Sequence, residues 1–251
     1  MKVSIITVVR NNEDTIKDAI ESVLSQTYTN IEYIVIDGAS TDETLNIIQP
    51  YIAKITTLVS ERDGGIYDAM NKGIELASGD IVGILNSDDF YTHSKVIDEV
   101  VRKFIQNPGS DLVLGNVDFV RPDNLFKPIR FYSSFKFALW KMRFGFMPAH
   151  PSAFIKRSAY NRIGQYKVGY KIGADFDMFV RLLVVARLPY VKLNKTLIRM
   201  RVGGVSTSGI KSYVISTNEM LCSLKENQIY SNSLMVSMRL PIKLIQLLLN
   251  K

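Results

Sequence analysis

The 251-residue chain has one cysteine and two histidines. A single thiol, Cys222, excludes an internal disulfide and fits a reducing compartment. With no histidine near it in sequence, it reads as a small core residue. Nowhere do eighteen consecutive apolar residues occur, so no membrane span is expected. The apolar run Val3 to Val9, after Met1-Lys2, is too short for a secretory core with a cleavage site and suits a buried strand. The protein is therefore expected in the cytoplasm. The turn after that strand, Arg10-Asn11-Asn12-Glu13, contains no glycine, which excludes a Gly-x-Gly-x-x-Gly dinucleotide turn. The most uneven absence is acid. Met1 to Asp123 holds 10 Lys/Arg against 20 Asp/Glu, whereas Asn124 to Lys251 holds 21 against 4, for a net charge of +7. Asn124 to Ala174 and Met178 to Asn218 contain no acid at all. A basic half of this kind implies an anionic partner, nucleic acid or membrane phosphates.

What is present alternates. Val3 to Val9 is a β-branched run, and Ile16, Ala19, Ile20, Val23 and Leu24 place an apolar stripe on a helix within Asn11 to Gln26. Ile31 to Ile36 predicts a second strand. Ser40 and Glu43 are spaced as a capping box for a helix to about Tyr51. A strand at Thr56 to Ser60, a helix at Ile66 to Ala77 and a strand at Ile81 to Leu85 follow. Alternation of this kind predicts an α/β fold with a mostly parallel sheet covered on both faces. Val96 to Ile105 is a further amphipathic helix, and Leu112 to Leu114 and Val117 to Val120 read as two strands. At 47% hydrophobic residues the chain is ordinary for a globular protein, and one domain is the simplest division.

Three of these strands end in polar residues: Thr7-Val8-Val9-Arg10-Asn11, Asp37, and Asn86-Ser87-Asp88-Asp89. Parallel-sheet enzymes bind ligands at the carboxyl ends of strands. A nucleotide along that edge would find a base acceptor in Asp37, a ribose partner in Asp88 and a cation ligand for its diphosphate in Asp89. Mg2+ takes few carboxylate oxygens and leaves positions for phosphates. Each acid also has a local reading: Asp37-Gly38 as a turn, Asp88 or Asp89 as a helix cap.

Ordered motifs resolve the choice. Ser4-Ile5-Ile6-Thr7-Val8, Ser25-Gln26-Thr27-Tyr28, Val35-Ile36-Asp37-Gly38-Ala39-Ser40-Thr41-Asp42, Asn71-Lys72-Gly73-Ile74, Ala77-Ser78-Gly79-Asp80 and Asn86-Ser87-Asp88-Asp89 together resemble family-2 glycosyltransferases of the GT-A fold. Gly64 to Gly73, with Gly203-Gly204-Val205-Ser206-Thr207, resembles the branch that builds bacterial exopolysaccharide and O-antigen repeats, the colanic-acid type. The resemblance covers Met1 to about Ser208. It implies a GT-A domain over 1–208, with a nucleotide-sugar half at 1–123 and an acceptor half at 124–208. Residues 209–251 are left as a helical extension for membrane docking or an oligomer contact.

The resemblance implies inverting transfer from a nucleoside-diphosphate sugar, a UDP-sugar first among donors, with Mg2+ or Mn2+. Thr7 and Val9 would line the base slot beside Asp37. Asn11, Asp68, Lys72, Asn86, Ser87 and Asp88 would complete the donor site, and Asp89 would be the main metal ligand with Asp88. Asn86 replaces the first Asp of the usual Asp-x-Asp-Asp. Met70 stands where many relatives carry an Arg, a role open to Arg62, Lys72 or Arg201. No His follows His150; Arg201-Val202-Gly203-Gly204 occupies the region of the relatives' metal-binding His, so Arg201 is a candidate for neutralising diphosphate.

Inversion needs a carboxylate to take the acceptor's proton. Only Asp175 and Asp177 interrupt the acid-free stretches, and Asp175 precedes the helical stripe Met178, Phe179, Leu182 and Leu183. Its local reading is an N-cap. In the family a Gly-x-Asp or Glu-Asp at this place carries the base, so Gly173-Ala174-Asp175 makes Asp175 the first choice and Asp177 the second. His150 would face the acceptor. Phe126 to Phe146 mixes Lys127, Arg130, Lys136, Lys141 and Arg143 with Phe131, Phe135, Trp140 and other rings. Together with the apolar tail Leu234 to Leu249, that suits a surface helix in a lipid headgroup layer better than nucleic acid. The expected acceptor is a lipid-linked saccharide on the inner face of the cell membrane, and a homodimer is a further expectation. A polyprenyl-phosphate acceptor and a non-catalytic nucleotide-sugar-binding role are the alternatives.

Overall fold

The computed structural model describes residues 1–203 and 209–240. Strand β1 (Val3–Val9) is buried along its whole length. Helix α1 (Ile16–Leu24) buries Ile16, Ala19, Ile20 and Val23, the stripe its spacing requires. Next come β2 (Ile31–Asp37), α2 (Thr44–Ile48) running into a 3-10 turn to Lys54, β3 (Thr57–Ser60), α3 (Ile66–Leu76) and β4 (Ile81–Ile84). These four strands are parallel, with Val9 opposite Asp37, Asp37 opposite Ser60 and Ile6 opposite Ile84. Their carboxyl ends therefore share one edge.

Beyond β4 the chain forms β5 (Asp89–Tyr91), α4 (Val96–Gln106), β6 (Leu112–Arg121), β7 (Asn124–Tyr132), β8 (Ala153–Lys156), α5 (Arg157–Ile163) and α6 (Ala174–Phe179). Then follow β9 (Tyr190–Arg201), α7 (Ile210–Glu226) and α8 (Ser233–Ser237). The sheet order is β3-β2-β1-β4-β8-β6-β9-β5, with β7 paired to β6. In this second part directions mix: β8 is antiparallel to β4 and β6, whereas β6 and β9 run parallel. One core lies between the sheet and α1 and α4, around Ile16, Tyr33 and Phe104. The other lies between the sheet and α3, α6 and α7, around Tyr67, Phe176 and Leu224.

Several sequence expectations are corrected here. Ser40 and Glu43 make no capping box; Glu43 precedes α2 without a side-chain cap, and the Ser40 hydroxyl bonds Asp37 instead. Asp89 caps no helix but opens β5, a strand too short for periodicity to reveal. Leu112 to Val120 is one strand, with register shifts against β9 near Asn116 and against β7 near Val120. Phe126 to Phe146 is no surface helix: it is β7 followed by two 3-10 turns, Ser134–Lys136 and Leu139–Phe144. Backbone pairing with β6 claims the first part, where aromatic residues favour a strand. Cys222 is exposed on α7, not in the core. In the described part of the tail, Val236 and Arg239 pack inward while Leu234 is exposed. Gly204 to Thr207 and the tail beyond Leu240 lie outside the described residues.

Candidate active site

Asp37, the last residue of β2, is fully buried. One carboxylate oxygen accepts from the Ser60 hydroxyl at 2.6 Å, and Ser40 donates both its backbone N–H, at 3.1 Å, and its hydroxyl. Thr7 sits below the edge and accepts from the Tyr33 hydroxyl at 3.1 Å, while Val9 packs into the α1-side core. Two non-glycine residues at this edge, Asn11 and Ala39, hold left-handed φ values of 48° and 56°. Such conformations persist where surroundings enforce them, often at ligand sites. The enforcement is visible: Asn11 N–H donates to Ser40 Oγ at 2.8 Å, and its Oδ1 accepts from Thr41 N–H at 2.8 Å.

The next residues carry the stitching across to β4. Asn12 Nδ2 donates to Ser87 Oγ at 2.7 Å, and Thr15 Oγ1 to the Ser87 carbonyl at 2.9 Å. The loop after β1 thus joins the Asp37 corner to the Asn86–Asp89 turn. Asn12 and Thr15 carried no sequence assignment; a polar run directly after a buried strand was their one signal.

In that turn Asp89 N–H closes on the Asn86 carbonyl at 3.1 Å, and Asn86 Nδ2 reaches Asp89 Oδ2 at 3.4 Å. Asn86 Oδ1 and Asp89 Oδ1 are buried acceptors without a hydrogen-bond partner. Burial, and then neighbouring Asp88, push the Asp89 carboxyl well above the usual carboxylate range. Burial also raises Asp88, with Arg201 pulling the other way. Arg201 donates Nη1 to the Asp88 carbonyl at 2.7 Å and Nη2 to Asp18, and its guanidinium lies 5.0 Å from the Phe90 ring centroid. It is braced under the turn. Lys72 is engaged as well, with Glu61 at 2.8 Å and Asp68 at 3.8 Å, and Asp68 also accepts from Gly64 N–H at 2.8 Å.

A buried carboxylate oxygen with no donor is costly unless a cation completes it. Two orphaned oxygens beside a second carboxylate fit a divalent ion. Among the described residues no group of three or more acids, histidines or cysteines is placed to hold a metal ion.

The second cluster lies at the start of α6. Asp175 Oδ1 accepts its neighbour Phe176 N–H at 2.7 Å. Burial drives its carboxyl up to about 7, with Glu219 adding to the rise and backbone N–H groups opposing it. Asp177 is the opposite case. Fully buried, it meets Arg181 at 2.8 Å, Lys167 at 3.0 Å and Ser223 at 2.9 Å, and these bonds overcome burial to hold it below the usual range. It ties α6 to α7.

Helix α3 packs on this second cluster. Its Tyr67 hydroxyl donates to the Ile172 carbonyl, and Asn71 clamps the Tyr166 backbone through bonds of 2.8 and 2.9 Å. Tyr166 stacks on Tyr67 at 5.9 Å and bonds His150 Nε2 at 2.7 Å. His150 is buried behind Tyr166, and burial lowers it to about 4, so it is neutral near pH 7. Tyr67 lies within a motif quoted from the sequence but had no role there; Tyr166 had no signal.

The family's sequence profile, described as Glycosyl transferase family 2, matches residues 4–164. A PGL/p-HBAD biosynthesis glycosyltransferase of Mycobacterium bovis is 31% identical over 165 residues, which is 64% of this chain and 62% of that protein. An uncharacterized glycosyltransferase of Mycobacterium tuberculosis is 34% identical over 186 residues, 73% of this chain and 69% of its own length. Among solved structures, S. aureus TarS 1-349 in complex with UDP-GlcNAc superposes with a TM-score of 0.69 at 19% identity, over 89% of this chain and 66% of that one. The mannosyltransferase PcManGT from Pyrobaculum calidifontis, in complex with GDP-Man and Mn2+, gives 0.63 at 18% identity, over 90% of this chain and 63% of that one. This mixed α/β sheet is therefore the GT-A fold. The chain belongs to glycosyl transferase family 2.

Proposed function

We propose that this chain is an inverting, metal-dependent glycosyltransferase. In this reading it moves a sugar from a nucleoside-diphosphate donor to a polyprenyl-diphosphate-linked saccharide in surface-polysaccharide assembly of the exopolysaccharide or O-antigen type. The observation that carries it is the pair of orphaned buried oxygens, Asn86 Oδ1 and Asp89 Oδ1, beside Asp88 at the carboxyl edge of the sheet. Asp88 and Asp89, with Asn86, would hold Mg2+ or Mn2+. When bound, such an ion offsets the charge that builds on the departing diphosphate. TarS bound to UDP-GlcNAc supports a UDP-sugar as first donor to test.

The chain's own residues do the rest. Asn11 and Asn12 lock the two strand-end loops together, which fixes the Asp37 corner against the acidic turn. Asp175 takes the proton of the acceptor hydroxyl as that oxygen bonds to the anomeric carbon and the bond to diphosphate oxygen breaks. A carboxylate near pH 7 is suited to that step, since efficiency peaks when the base's pKa lies close to the working pH. Asp177 is not: two cations and Ser223 already occupy its oxygens. His150 bonds the Tyr166 hydroxyl and steadies that ring.

No helix among the described residues is long and apolar enough to cross a membrane. Phe126, Phe135 and Trp140 are exposed among Lys127, Lys136 and Arg143, which supports docking on anionic lipid near a lipid-linked acceptor. The first test is release of nucleoside diphosphate across a panel of nucleotide sugars, with a short lipid-diphosphate saccharide as acceptor. Asp175→Asn is expected to lower kcat by about 10²- to 10⁴-fold with donor binding intact. In the native enzyme activity falls as pH drops below about 7, because the base takes up its proton there. Unchanged turnover in that variant rejects the base, and no release with any donor rejects the transferase.

A further inference from the structure

We propose that Glu219, on α7, is a positioning residue for Asp175, so that the helix after 209 is part of the catalytic apparatus and not an appendage. This rests on Asp175 being the base. The segment leading into α6 presents three successive backbone N–H groups, at Lys171, Ile172 and Gly173, with no helical partners of their own. All three converge on one carboxylate: Glu219 Oε1 accepts Lys171 N–H at 2.7 Å, and Oε2 accepts Ile172 and Gly173 N–H at 3.0 and 2.8 Å. A run of backbone N–H groups closing on an anion is the geometry of an anion nest. Here a side chain from a distant helix fills it.

The fit is close. A Cβ at Gly173 would lie 3.0 Å from Glu219 Cβ and 3.2 Å from its Oε2, so glycine is what lets the carboxylate reach the nest. From the other side Tyr67 of α3 donates to the Ile172 carbonyl. The backbone two residues ahead of Asp175 is thus gripped on its N–H side by α7 and on its carbonyl side by α3. Neither grip touches the reacting groups.

Position is one consequence and charge is another. The groups facing Asp175 are Tyr67 from α3, Tyr166 from the preceding loop and Glu219 from α7. The two phenols stay protonated, held up by burial, so Glu219 is the charged one among them. Its negative charge opposes ionisation of Asp175 and keeps the base protonated to higher pH. In sequence the one signal was scarcity: Glu219 is among the four acids after Asn124.

The test is the pH profile of kcat and KM for Glu219→Gln in the full chain. Expected is a fall in kcat of about tenfold to a hundredfold, as misplacement of a reacting group gives, with donor KM little changed. The acidic limb of the profile should also move to lower pH, because a like charge beside the base has gone. Gly173→Ala, which crowds Glu219 without removing its charge, should lower kcat while leaving that limb in place. Asp175→Asn runs alongside: if it keeps full turnover, the base assignment fails, whatever Glu219 does. If Asp175→Asn is inactive and Glu219→Gln keeps native kcat, or loses activity with the acidic limb unmoved, the positioning role is overturned.

Discussion

The two ends of the parallel strands treat buried acids in opposite ways. Near the start of β2, Glu32 is buried with both carboxylate oxygens occupied. Oε1 accepts from Lys2 Nζ and Ser78 Oγ, both at 2.6 Å, and Oε2 from Ser4 Oγ at 2.5 Å and Ser78 N–H at 2.7 Å. Burial pushes this carboxyl up, but the hydrogen bonds outweigh it and bring it to about 2. At the other end Asp89 is buried still more deeply, one of its oxygens has no partner, and burial holds its carboxyl far above the usual range. The same residue class serves as a fastening at one end and as an unfilled ligand set at the other. Polar networks stabilise when fully bonded, and an incomplete one persists where something else completes it.

The largest expected effect tests the incomplete end. Asp89→Asn keeps the shape and removes the buried charge, so the fold should melt at or above the native temperature. Turnover should drop by about 10²- to 10³-fold, the scale of losing one group that stabilises charge in the transition state. Calorimetry with and without Mn2+ sharpens the point. Native protein should gain melting temperature as the ion is added, through linkage, and the variant should gain less. A variant that unfolds while remaining active per folded molecule would make Asp89 a fastening like Glu32.

Glu32→Gln tests the complete end, with a smaller effect of a different kind. Its folded pKa of about 2 lies below the ordinary value of 4.5, so its contribution is fully present above pH 4.5. It is lost as pH falls from there towards 2. Linkage puts that contribution on the order of 3 kcal/mol at neutral pH. Denaturant midpoints should therefore separate native and Glu32→Gln proteins at pH 7 and converge near pH 2, with kcat per folded molecule unchanged. A constant gap across that range would mean that the bonds, not the ionisation, stabilise this corner.

How far the sequence carried depends on the same division. In β1, β2 and β4 each apolar run is a strand buried on both faces and each stripe a helix on one, so period and burial coincide and the elements were legible. Asp37, Asp88 and Asp89 were legible as a set because parallel strands must end together. From β5 onward pairings are mixed and non-local: β5, three residues long, exists through its partner β9. The mix of basic and aromatic residues from Phe126 suggested a surface helix, and its first part was claimed by the β6 edge. Around Asp175 the fold gathers Tyr67, Tyr166 and Glu219, with Asn71 and His150 holding Tyr166, contacts that spacing cannot encode. Asp175 and Asp177 are two residues apart, and in sequence only the Gly-x-Asp resemblance ranked Asp175 ahead of Asp177. Lys167, Arg181 and Ser223 tell them apart, and only the folded chain brings those groups to Asp177.

The smallest expected effect on the fold concerns the basic, aromatic surface, where the comparison becomes one between rings that pack and rings that do not. Phe137 is buried against Tyr190, at 6.1 Å between centroids, whereas Phe126 is 84% and Trp140 63% exposed. Replacing both exposed rings by serine should shift stability by about 0.5 kcal/mol or less, as for most surface sites. Liposome flotation should respond more, since each ring sunk into an interface is worth about 1.5–3 kcal/mol. With anionic vesicles, the double variant should float less than native protein by at least about tenfold. High salt should weaken the native interaction further by screening Lys127, Lys136 and Arg143. Equal flotation of native and variant, in vesicles with and without anionic lipid, would return these rings to the class of ordinary exposed side chains and leave the acceptor to be met in solution.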